Sequence, residues 1–226
     1  MSSLERPDSA PTRRAVLLGG LGLGTAALAL AGCDQSPKWH AMDVSGSTPA
    51  LQFTMTRVDD GKEVTAADYR GKIVLLYFGY TNCPDVCPTT LANLASVLRR
   101  LGPDANHIRM LFVTVDPNRD TPKVLDEFVK DFAPQIDGLR GTPDQLAVLA
   151  RRYRIVYSVE PATKDHPYEV THSSAIYVFD GSGTARLLVA SLDSTTPDIP
   201  GTAADLKRLV EAQSPPGFIA RLRNLV

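Results

Sequence analysis

The sequence predicts an α/β domain in which a mixed β-sheet is flanked by helices. Three observations carry this reading. Two nearly continuous apolar runs, Ile73 to Phe78 and Ile108 to Val115, have the length and branched, aromatic character of buried strands. Helix-period apolar stripes alternate with them, and a later pair of strand-like runs flanks Asp180-Gly181-Ser182-Gly183. With 226 residues and 43% hydrophobic content, the chain can bury the core of one compact domain and still carry a leader and linker. Its formal charge of −1 lacks the basic excess of a nucleic-acid binder, so no nucleic-acid partner is expected.

The elements follow in order. After the first buried run comes Cys83-Pro84-Asp85-Val86-Cys87-Pro88, then a helix with Pro88 at its first position. Leu91, Leu94, Leu98 and Leu101 make its apolar stripe, and Gly102 ends it. Beyond the second buried run, Thr121-Pro122 caps a helix that turns Val124, Leu125, Phe128 and Phe132 inward. Thr142-Pro143-Asp144-Gln145 is a capping-box start for a third helix carrying Leu146, Leu149 and Tyr153. Ser174 to Asp180 and Ala185 to Ser191 read as an antiparallel pair. Thr202 to Asp205 opens a last helix with Leu206, Leu209 and Val210 on one side. Crossovers between parallel strands should be right-handed. Sites in such sheets lie beyond the carboxyl ends of the strands, which is where the cysteine pair falls.

The N-terminus reads as an address. Arg13-Arg14 precedes an apolar stretch of about 17 residues from Ala15 to Ala31, then Gly32-Cys33. Residues 1–32 resemble an export signal of the twin-arginine type, and Leu30-Ala31-Gly32-Cys33 is similar to a bacterial lipobox. The competing reading is an uncleaved membrane helix, but the stretch is short for a span and carries four glycines. The expectation is a lipid anchor on Cys33, a flexible spacer over 33–50, and a domain over 51–226 on the outer (periplasmic or extracellular) side of a cell membrane.

That assignment decides the cysteine count. Of three Cys, only Cys83 and Cys87 remain. A pair so close in sequence is a poor structural staple, because closing a tiny loop removes little unfolded-state entropy. A reactive or metal-binding pair is the better reading. Pro84 disfavours helical backbone at Cys83, which places that residue in the loop leading to the helix, folded back toward Cys87. Free N–H groups at a helix N-terminus favour thiolates, and two thiolates make a soft site suited to Cu(I), with Zn(II) as competitor. A third donor is then expected. His40, His107 and His166 lie in polar or spacer segments where solvation explains them. His172 immediately precedes the strand-like Ala175 to Phe179. From the residues alone, both a ligand and a hydrogen-bonded structural role stand for it.

Gly79 to Thr89, with its Cys83-Pro84-Asp85-Val86-Cys87-Pro88 core, resembles the Sco/SenC signature. Asp116-Pro117-Asn118-Arg119-Asp120-Thr121-Pro122, Thr142-Pro143 and His172 to Tyr177 are similar to that family's later blocks, in the same order over most of residues 50–215. The resemblance implies a thioredoxin-like fold and one copper ion held by Cys83, Cys87 and His172. It also implies a role in assembling the dinuclear copper centre of cytochrome c oxidase, with a copper-accepting oxidase subunit as partner. Many relatives carry Asp just before the His where this chain has Thr171, which removes a possible orienting carboxylate but no ligand. For Asp116 two readings stand: a carboxylate that supports the ligands from behind, or a loop-shaping residue. Tyr80 and Asp85 read first as loop structure.

Copper carriage and a thiol–disulfide oxidoreductase that reduces acceptor cysteines are the two functional readings. Three residues separate Cys83 from Cys87, against two in thioredoxin-type C-x-x-C, and a reductase has no use for His172. A peroxiredoxin fits neither cysteine. The proline and hydroxyl residue of that family fall on Tyr80 and Pro84 for Cys87, and on Leu76 and Tyr80 for Cys83.

Overall fold

A computed structural model describes residues 38–213 of the chain. Its eight-stranded sheet is built from β1 (Met42–Asp43), β2 (Thr54–Arg57), β3 (Glu63–Thr65), β4 (Ile73–Gly79), β5 (Ile108–Thr114), β6 (Ile136–Arg140), β9 (Ile176–Phe179) and β10 (Ala185–Val189). The helices are α1 (Val86–Leu101), α2 (Pro122–Lys130), α3 (Pro143–Arg152) and α4 (Ile199–Gln213). A separate two-stranded sheet joins β7 (Tyr157–Glu160) to β8 (Glu169–His172).

Strand order in the main sheet is β1-β10-β9-β4-β5-β6-β2-β3. β4, β5 and β6 are parallel, and β9 and β10 are antiparallel to their neighbours, so the sheet is mixed as the sequence predicts. β4 is buried along its whole length, because helices cover both faces of a parallel core. Thr121 and Thr142 cap α2 and α3 through their hydroxyls, and the Thr142/Gln145 capping box forms as expected.

Several elements differ from the sequence reading. α1 begins at Val86, so Pro88 is its third residue; the N–H it lacks would have had no helical acceptor there. Val124 is 40% exposed, and the inward stripe of α2 runs through Leu125 and Val129 with Phe128 and Phe132 at its margin. α4 starts at Ile199 rather than Thr202: Asp198 accepts from the Gly201 N–H at 2.8 Å and caps the helix earlier, with Pro200 in its first turn. β1, β2, β3, β6, β7 and β8 carry no strand signal in the sequence, being short, polar or half exposed.

Residues 39–50 are not a free spacer. β1 pairs with β10, Val44 is buried, and the Trp39 indole lies 3.8 Å from the Arg208 guanidinium. The physical reason is Asp205, 1% exposed in α4, whose carboxylate takes the His40 and Ala41 N–H groups at 2.9 and 2.8 Å. The export signal, Cys33 and the start of the spacer lie outside the described residues. Among the described residues, no helix is long and apolar enough to cross a membrane.

Candidate metal centre

β4 delivers the chain to the site and α1 carries it away. Gly79 ends β4 where a Cβ would stand 2.8 Å from Cys87 Sγ and from the Phe112 ring, so only glycine lets the strand pass beneath the sulfur. Cys83 lies in the following turn, partly exposed, with its N–H on the Tyr80 carbonyl at 3.3 Å. Cys87 is the second residue of α1 and fully buried. Its backbone N–H, free of any helical partner at that position, donates to Cys83 Sγ at 3.3 Å.

The imidazole arrives from the other sheet. His172 ends β8 and sets Nε2 3.3 Å from Cys87 Sγ. Its Nδ1 lies 3.1 Å from the Ser173 carbonyl oxygen. A carbonyl can only accept, so Nδ1 carries the hydrogen and Nε2 turns its lone pair toward the sulfurs. The two Sγ atoms and the His172 ring nitrogen all lie within 4.8 Å of one another. Among the described residues this is the one group of three Cys, His or acidic side chains close enough to hold a metal ion. The tyrosines wall it in: the Tyr77 and Tyr80 rings meet the imidazole edge-on, with centroids 6.1 and 5.7 Å away. A cleft of about 330 Å³, lined by Tyr80, Cys83, Pro84, Val170 and His172, opens it to solvent.

The electrostatics split the pair. Hydrogen bonding from Cys87 outweighs desolvation and pulls the Cys83 thiol down to about 3. Cys87 moves the opposite way, raised by its bond to the Cys83 sulfur and by burial. The Tyr77 hydroxyl, 3.7 Å from Cys87 Sγ, is itself raised by desolvation. One thiolate, one thiol and one imidazole lone pair converge; loss of the single remaining thiol proton leaves a soft S₂N set with two negative charges, which suits Cu(I) and, less selectively, Zn(II).

The other residues singled out in the sequence fall as follows. Among the histidines, His40 lies 3.3 Å from Asp198, His166 sits in an exposed turn, and His107 ends a short 3-10 helix. Asp116 is fully buried but bonds Arg119 and Tyr168, not a sulfur or the imidazole. Asp85 is exposed and takes the Thr89 hydroxyl at 3.2 Å. Thr171 lies 2.9 Å from the Ser158 hydroxyl. Tyr80 exceeds its loop role by touching His172.

Asp120 stands in the sequence only as one member of the block Asp116 to Pro122, with nothing local to mark it for the site. Its carboxylate, 0% exposed, takes the Thr81 hydroxyl at 2.6 Å, the Thr81 N–H at 3.1 Å and the Thr114 hydroxyl at 2.5 Å. It thereby ties the cysteine loop to the end of β5. Burial raises its pKa despite those donors.

Comparison with known proteins gives a consistent result. The family profile described as SCO1/SenC matches residues 45–211. The chain is 40% identical over 168 residues to the protein SCO2 homolog, mitochondrial, of Bos taurus; the match covers 73% of this chain and 63% of that one, so it spans less than two thirds of the relative. Among solved structures, Bradyrhizobium japonicum ScoI with copper bound is 38% identical with a TM-score of 0.62, covering 71% of this chain and 98% of that one. Yeast Sco1 with copper bound is 31% identical with a TM-score of 0.63, covering 76% and 94%.

Proposed function

The chain belongs to the SCO1/SenC family, and from that membership we propose that it is a copper carrier. Its cargo is one copper ion on Cys83, Cys87 and His172, delivered to a copper-accepting subunit during assembly of the cytochrome c oxidase copper centre. The observation that carries the reading is the convergence of two sulfurs and one ring nitrogen within 4.8 Å at the edge of an open cleft. A carrier must hold its ion without trapping it. Three donors leave copper open to an incoming ligand, so Cys and His can be exchanged one at a time for those of an acceptor. The Nδ1–H bond to Ser173 fixes the tautomer that offers Nε2.

Export, cleavage and lipidation at Cys33 form part of the proposal and rest on the sequence pattern alone. They would hold the domain at the outer face of a cell membrane.

A second reading, thiol–disulfide exchange on acceptor cysteines, draws support from the low Cys83 pKa, which favours a thiolate beside a free partner thiol. One experiment separates the two. Anaerobic copper titration of the reduced protein, with metal counting and X-ray absorption, should give one ion per chain with two sulfurs and one nitrogen. His172→Ala should lose the nitrogen and fail in copper delivery while still reducing disulfides. Delivery unaffected by that substitution would overturn the carrier reading.

A further inference from the structure

His172 reaches the site on β8, which belongs to the two-stranded sheet and not to the sheet that carries the cysteines. Something must therefore hold the β7–β8 hairpin in register with the cysteine loop. Asp116, fully buried after β5, supplies the base. One of its oxygens takes the Tyr168 hydroxyl at 2.8 Å, and the other pairs with Arg119 Nε. The Arg119 guanidinium then lies 3.9 Å from the Tyr168 ring centroid and 5.8 Å from that of Tyr80. Tyr168 directly precedes β8; Tyr80 leads into the cysteine loop and donates its hydroxyl to the Val170 carbonyl at 3.3 Å. A guanidinium stacked on the Tyr168 ring and within cation–π reach of Tyr80, seated on a buried carboxylate, thus bridges the two parts of the centre.

We propose that Arg119 and Tyr168 are positioning residues: a latch on the hairpin that keeps the His172 imidazole over the cysteine pair, so that without it the site falls back to two sulfurs. The metal-binding half of this inference rests on the copper reading above; the mechanical half does not. Each partner is specified by its chemistry. The stack needs a flat cation and an aromatic face, which Lys or Leu supply only in part. The ion pair needs a planar donor beside a carboxylate that has no solvent to fall back on.

The test uses the whole chain with Tyr168→Phe, Tyr168→Leu and Arg119→Met, each also combined with His172→Ala. Amide hydrogen exchange of the metal-free protein is read at Val170, Thr171 and His172, and Cu(I) affinity is read by competition with a chelator. Tyr168→Leu and Arg119→Met should speed exchange at those amides and weaken Cu(I) binding by roughly tenfold, in line with losing a group that orients a ligand. In the His172→Ala background the same substitutions should leave Cu(I) affinity unchanged, because they act through the imidazole. Tyr168→Phe keeps the ring and loses only the hydroxyl, so it should fall between; it decides the matter alone if the larger changes fail to fold. Unchanged exchange, or an equal affinity loss with and without the imidazole, overturns the latch. A wild-type chain that takes no copper defeats the carrier reading, while the exchange arm still decides the latch.

Discussion

Hydrogen bonding from Cys87 holds the Cys83 pKa low, while the bond to that same sulfur, and then burial, raise Cys87. The consequence is selectivity between chemically identical side chains. In the folded protein Cys83 should remain a thiolate down to about 3, against an ordinary thiol value of 9.0. Its contribution to stability is then fully present above the ordinary value and is lost as pH falls toward the folded one. Alkylation by iodoacetamide should therefore modify Cys83 first. Its rate should be nearly flat from about pH 5 to about pH 8, where an ordinary thiol gains roughly tenfold per unit. Peptide mapping across that range checks it; equal labelling of both cysteines, or an ordinary pH rise, would show that the two thiols do not share their proton this way. Composition alone cannot reveal the difference, because both residues are Cys and only the neighbouring N–H, ring and carbonyl groups separate them.

At the level of single elements, the end of α3 carries the one described non-glycine residue with positive φ, Arg154 at 54°. It closes the helix with the Arg154 N–H on the Arg151 carbonyl and the Ile155 N–H on the Ala150 carbonyl at 2.8 Å. A residue with a Cβ atom holds left-handed geometry at a cost that glycine does not carry. Arg154→Gly should raise stability by about 0.5–1 kcal/mol, read as a higher urea midpoint at unchanged slope. A lower midpoint would mean that the arginine side chain contributes more than its backbone costs. Elements with strong local signals were legible: the apolar runs of β4 and β5, the Gly102 stop and the Thr142 capping box all form where the sequence places them. The β7–β8 hairpin carries no such signal, since every strand residue but Val170 is exposed or half exposed and the pairing runs through the backbone.

Across the whole molecule, the described segment that begins at Lys38 is held by α4, more than 160 positions further along the chain. Asp205 of α4 takes two backbone N–H groups from His40 and Ala41 while almost wholly buried. Asp205→Ala would leave both donors without an acceptor, at a cost of roughly 2 kcal/mol or more. The expected result is a lower unfolding midpoint together with faster native-state proteolysis upstream of Ser45, seen as early release of the N-terminal peptide. Unchanged cleavage would mean that β1 pairing with β10 suffices to hold the segment.

By itself the sequence determined the mixed α/β architecture, both sulfurs and the family resemblance, because these rest on local periodicity and on residues a few positions apart. Only the tertiary structure decided what depends on distance. It brought the ring of His172 to Cys87 across 85 positions and oriented its lone pair. It turned Asp120 and Asp116 into buried anchors for the loop and the hairpin, and it folded residues 39–50 onto the sheet. A carboxylate in a polar stretch has the same letter whether water or two threonines surround it; burial, which settles its role, exists only once the chain has closed around it.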